Sequence, residues 1–210
     1  RIKENGLAGV LTDAFYAHVN PAFITLFLFN GFAIYTGIGF YFFMVALIGT
    51  SLLKGIRNIL LHQIEDRKND RRAGIQTYTV NRGGLYVVRL INKLLLPEAV
   101  LLLVLVIMLS VKYPPVVVFL LVFAITTYLS FSGWKLAYLP KRQKLFKWLY
   151  VLNNYYERWL PVSLLITFTV YNPAWTGLLL LHVLLFPAWI RGIFDDIRTI
   201  GENFKTEENY

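Results

Sequence analysis

The pattern of apolar and polar positions divides the chain into long uncharged runs separated by basic segments. Pro21 to Leu53 holds no Asp, Glu, Lys, Arg or His. As one helix this run would reach about 50 Å, beyond a hydrocarbon core of about 30 Å. Tyr35-Thr36-Gly37-Ile38-Gly39 is the natural break, and it predicts a first helix over 13–34 and a second over 38–63. Asp13 is the expected cap of the first helix and Pro21 its expected kink.

Leu94 to Val111 is apolar apart from Glu98 and predicts a third helix from about Val88. Pro114-Pro115 opens a fourth that runs to about Trp134. Trp159 to Ile190 is uncharged apart from His182, and Tyr171-Asn172-Pro173 splits it, giving a fifth helix over 147–170 and a sixth over 174–192. The chain therefore reads as all-α, a polytopic transmembrane helix bundle of about six spans. The membrane domain covers 1–194 and a polar cytoplasmic tail covers 195–210. No internal repeat and no low-complexity segment interrupts it.

Composition supports this reading. Charged residues are 16% of the chain, against about 25% in a soluble domain. The absence of Cys excludes thiol catalysis, a Cys zinc site and a disulfide scaffold. A net charge of +9 could suit nucleic acid, but its distribution points elsewhere. Basic residues collect at 64–93 (Arg67, Lys68, Arg71, Arg72, Arg82, Arg89, Lys93), at 135–147 and in the tail, whereas the opposite side holds Lys112. This asymmetry predicts an integral, multi-pass membrane protein with both termini and the 64–93 loop in the cytoplasm. The positive charge then serves topology and attraction to anionic membrane lipid, and no nucleic-acid partner is expected. Trp134, Trp148, Trp175 and Trp189 lie near the predicted span ends, as aromatic belts do.

The candidate chemistry lies where the second helix meets the basic loop. Lys54, Asn58, His62, Asp66 and Asp70 recur every fourth residue and so form one row along a helix, with Gln63 beside it. Polar groups that begin at membrane depth face a cavity, water or one another. Two carboxylates one turn apart can share a hard cation such as Mg²⁺, which binds through one or two carboxylates plus waters and substrate phosphates. The same spacing also occurs on solvated helices, where Asp66 and Asp70 would pair with Arg67, Lys68 and their neighbours. His62, one turn before Asp66, is placed to orient that carboxylate.

Asp66-x-x-x-Asp70-x-x-x-Gly74-x-x-Thr77, followed by Val80 and Gly83, resembles the second aspartate-rich motif of the UbiA family of intramembrane prenyltransferases. The resemblance implies a UbiA-like bundle, Mg²⁺ as cofactor, and a prenyl diphosphate and a lipophilic, usually aromatic, acceptor as partners. Asp66 and Asp70 would be the catalytic metal–diphosphate ligands. The family's first motif, N-D-x-x-D-x-x-x-D, is absent, because the other aspartates are Asp13, Asp195 and Asp196. The chain is therefore expected to be the C-terminal part of a longer bundle. The motif of CDP-alcohol phosphotransferases does not fit, since Arg67 and Arg71 stand where Gly would follow the aspartates.

Other residues carry two readings each. Lys54, Arg57, Asn58, His62 and Gln63 are candidate substrate contacts, and Lys54 and Arg57 read equally as cations snorkelling to the interface. Asn153, Asn154 and Glu157 form a polar cluster in the fifth helix, either an acceptor pocket or an interhelical hydrogen-bonding surface, with Asn153–Glu157 and Asn154–Arg158 at i,i+4 spacing. Glu98 is expected as an ion-pair partner of a basic loop residue. His18 and His182 read as packing residues. The competing functions are a non-catalytic UbiA-like membrane protein and a membrane transporter.

Overall fold

The structure is a computed structural model that describes residues 6–28, 35–132, 147–188, 190–195 and 198. Every regular element among them is helical, with no strand. Lys135, Lys141, Arg142, Lys144, Trp134, Trp189 and the tail beyond Arg198 lie outside the described residues. The chain divides into two compact units, Arg1–Met108 and Leu109–Tyr210.

In the first unit, α1 (Gly6–Ala14) continues through a π turn (Phe15–Val19) into α2 (Asn20–Leu28). The helix is already formed at Gly6, so Asp13 is an interior residue and not the expected cap. Pro21 is preceded by the π turn, in which the Asn20 amide donates to the Phe15 carbonyl. Proline has no N–H and crowds the carbonyl four residues back. Widening the preceding turn moves that carbonyl away.

The predicted break at 35–36 is present, and α3 (Gly37–Arg72) follows. Its 36 residues extend about 54 Å. It continues nine residues past the expected end at 63, so Asp66 and Asp70 lie in helix. A short α4 (Tyr78–Arg82) and then α5 (Gly84–Lys112) follow, so most of the expected 64–93 loop is helical. Pro97 lies inside α5, leaving the Lys93 carbonyl without its helical donor. His18 packs against Gly55, and Leu101 against Gly49, so small residues on α3 let α1 and α5 approach closely.

The second unit contains α6 (Pro115–Ser132), α7 (Lys147–Asn154), a second π turn (Tyr155–Trp159), α8 (Leu160–Tyr171), a 3₁₀ turn (Pro173–Trp175) and α9 (Thr176–Leu185). The second π turn also ends two residues before a proline, Pro161, and its closing amide, from Leu160, donates to Tyr155. Phe123 of α6 packs on Tyr155 and Trp159, with ring centroids 4.9 and 5.6 Å away.

Among the described residues two helices, α3 and α5, are long and apolar enough to cross a membrane. Pro115–Tyr128 and Pro173–Leu185 are apolar but shorter. Large apolar side chains stand on the surface, among them Ile38 at 75% exposure, Leu85 at 76% and Leu184 at 76%.

Candidate functional site

The polar end of α3 presents two faces. Lys54, Asn58, His62, Asp66 and Asp70 keep their row: Lys54 and Asn58 are half-buried, His62 and Asp66 are exposed, and Asp70 is half-buried. Arg57, Leu60 and Gln63 occupy the buried face. A helix turns 100° per residue, so a spacing of three separates this stripe from the row of four.

Arg57 and Glu98 are both fully enclosed. The Arg57 Nε donates to one Glu98 oxygen at 2.6 Å and an η nitrogen donates to the other at 2.9 Å. This fork joins α3 to α5. It revises two expectations. Arg57 is an interior ion-pair residue and not an open diphosphate contact, because two of its guanidinium nitrogens are committed to Glu98. Glu98 pairs with a helix residue 41 positions away and not with the basic loop.

The segment after Asp70 is defined by backbone chemistry. The Ile75 amide donates to the Asp70 carbonyl at 2.9 Å, and the Gly74 amide to the Arg71 carbonyl at 3.4 Å. This is a Schellman ending, and it places Gly74 in the left-handed region at φ +71°. Thr77, fully buried, then caps α4 by accepting from the Val80 amide at 3.3 Å. The glycine and threonine of the motif thus each have a structural reason. Gln63 accepts from the Thr79 amide at 3.2 Å and from the Thr79 hydroxyl at 3.3 Å, so it is a buried tie to α4 and not a substrate contact. Tyr78 is buried in the same corner. Its phenol is held above the usual range, chiefly by desolvation and then by a hydrogen bond with Tyr86, with Arg82 opposing. Arg67 lies against Gly84 at the start of α5.

His62 does not orient Asp66 as expected. Its nearest carboxylate is Glu65, with Nδ1 3.9 Å from an oxygen, an ion-pair distance beyond a hydrogen bond. Among the described residues no three His, Cys, Asp or Glu gather as a metal cage. Asp66 and Asp70 still suit a shared hard cation that keeps open positions for water and phosphate oxygens. Two carboxylates alone would supply part of a coordination shell.

In the second unit, Asn153 and Asn154 are half-buried and Glu157 is exposed. From Tyr155 the π turn changes the local register to i,i+5. Arg158 packs against Gly192. The Tyr155 hydroxyl, Trp159 indole N–H and Thr167 hydroxyl are buried without a hydrogen-bond partner among the described residues. Sequence spacing had not singled out Thr79, Gly192 or the partner of Glu98, because each contact joins separate elements.

No protein-family model matches the chain, and no curated protein or solved structure matches it either.

Proposed function

We propose that the chain is a UbiA-like intramembrane prenyltransferase, or the C-terminal part of one, embedded by about six spans with the polar end of α3 on the cytoplasmic side. The observation that carries this reading is the coherence of the motif. Asp66 and Asp70 stand one turn apart at the open end of a helix long enough to cross a bilayer, and Gly74 and Thr77 close the helix end beside them. The exposed apolar side chains of α3 and α5 support lipid contact.

The reaction breaks the allylic C–O bond of a prenyl diphosphate, and diphosphate leaves with the bonding electrons. The acceptor's nucleophilic atom forms the new bond to the prenyl carbon, and the proton it carried is released. Bound Mg²⁺ would neutralise the charge developing on the leaving oxygens. Asp66 and Asp70 would hold it, and Lys54 and Asn58 lie farther along the row, toward the apolar part of α3. A dry cavity would be needed to keep water from the allylic cation.

The test is Mg²⁺-dependent transfer of a labelled prenyl group by the full-length protein. Asp66→Asn with Asp70→Asn should reduce product to the no-enzyme level while helix content is unchanged. Unaltered transfer would remove the site. A non-catalytic relative is the second reading, favoured by the missing N-D-x-x-D-x-x-x-D sequence. Product from the wild-type full-length protein would exclude it. Solute flux without any prenyl product would instead favour a transporter.

A further inference from the structure

We infer that Gln63 is a positioning residue for the aspartate pair, a role that rests on the metal–diphosphate reading of Asp66 and Asp70. The argument begins with α4. It has five residues, too few to persist by its own hydrogen bonds. Its first amides have no intrahelical acceptors. The Thr77 hydroxyl oxygen takes the Val80 amide from within the segment, and Gln63 Oε1 takes the Thr79 amide from outside it. The same Gln63 oxygen also accepts from the Thr79 hydroxyl. Gln63 is therefore a remote cap for α4, carried by another helix. Gln63, Thr77 and Thr79 are all buried, so water does not replace these bonds.

The location gives this cap its consequence. Gln63 lies one turn before Asp66 on α3. The chain leaves α3 through the Schellman ending at Asp70–Ile75 and returns to α3 at Gln63–Thr79. Both ends of the 73–77 connection are thus tied to the helix that carries the carboxylates. Helix ends ordinarily fray over the last turn or two, and Asp70 is in the last turn of α3. With the return tied down, that turn keeps its hydrogen bonds and the two carboxylates keep their one-turn spacing. If the Gln63 tie is cut, α4 loses its external cap, the return strand loosens, and Asp70 gains conformations in which it no longer shares a cation with Asp66.

The chain contains no Cys, so labels introduced into it compete with no thiol of its own. Spin labels at Lys68→Cys and Arg82→Cys, both exposed positions, report the distance from the end of α3 to α4. Mn²⁺ with inorganic pyrophosphate, followed by electron paramagnetic resonance on the full-length protein in nanodiscs, reports the metal site. Gln63→Met keeps the shape and removes the acceptor. It should broaden the label distance and weaken Mn²⁺–pyrophosphate binding about tenfold, as loss of supporting contacts around a metal site does. Gln63→Glu retains an acceptor oxygen and should restore both readouts. Thr79→Val keeps the amide bond and loses the hydroxyl bond, so it should give a smaller weakening, and it serves as the second variant if Gln63→Met does not fold. Wild-type Mn²⁺ binding in Gln63→Met, with binding abolished in Asp66→Asn, would overturn the positioning role alone. Wild-type binding in Asp66→Asn would overturn the metal reading and the positioning role with it.

Discussion

Glu98 and Asp66 are carboxylates within reach of the same helix, and their surroundings are opposite. Glu98 is completely enclosed and both its oxygens accept from Arg57 of α3. Asp66 is exposed near the end of α3, with Asp70 one turn further on. An ion pair taken out of water must be fully hydrogen-bonded to offset desolvation, and once formed it leaves no charge for a ligand. A carboxylate pair that water still reaches costs little to hold and keeps its charge available to a cation. On the proposed function, one helix separates two uses of charge along its length: architecture in the interior and chemistry at the open end.

The sharpest way to break this contrast is to halve the buried pair. Glu98→Ala or Arg57→Met alone should destabilise the protein by about 3–5 kcal/mol, because the remaining charge is buried without its partner. Arg57→Met with Glu98→Leu should recover most of that loss, as replacing a buried pair by apolar side chains often does. Thermal unfolding in detergent reads both. Asp66→Asn, by contrast, should stay within about 0.5 kcal/mol of wild type, the usual range for surface changes.

Smaller effects sharpen the account of the helix end. Gly74→Ala should cost about 1–2 kcal/mol, since φ is +71° there and a Cβ disfavours the left-handed region. Thr77→Ala should cost about 1 kcal/mol through loss of the α4 cap. The smallest effect is one of pH. The Tyr78 phenol is raised above its ordinary value of 10.0, first by burial and then by the Tyr86 hydrogen bond. A raised acid favours the fold while it stays protonated. The contribution is complete below the unfolded value and is lost as pH rises through the folded one. Alkaline unfolding should therefore be shallower in Tyr78→Phe, read by helix content against pH.

Much of the fold was legible in the sequence, for reasons that individual elements make plain. The break before Gly37 and the starts at Pro115 and Pro173 follow from residues that cannot continue a helix or that open one well. The row from Lys54 to Asp70 follows from helical spacing and needs no tertiary contact. The end of α3 was misplaced because hydropathy marks where apolar residues stop, and Glu65 to Arg72 continue the helix with polar residues that favour it. The π turns before Pro21 and Pro161 were out of reach, because spacing shows that a proline perturbs a helix but not how the preceding turn adapts. The Arg57–Glu98 and Gln63–Thr79 contacts were also out of reach. They depend on which helices pack together, and no local pattern encodes that. Of the candidate site, the motif picked out the two aspartates, Gly74 and Thr77 as positions, whereas the helix-ending and capping roles of the last two, and the buried places of Arg57 and Gln63, were not accessible from it.

The central claim is that charge on α3 is structural at Arg57 and chemical at Asp66 and Asp70. The most direct test is Mg²⁺-dependent release of diphosphate from a prenyl diphosphate by the full-length protein, which requires no knowledge of the acceptor. Asp66→Asn with Asp70→Asn should be folded and inactive, while Arg57→Met with Glu98→Leu should be folded and active. Diphosphate release that survives loss of both aspartates, or disappears with the folded apolar swap, would contradict that division.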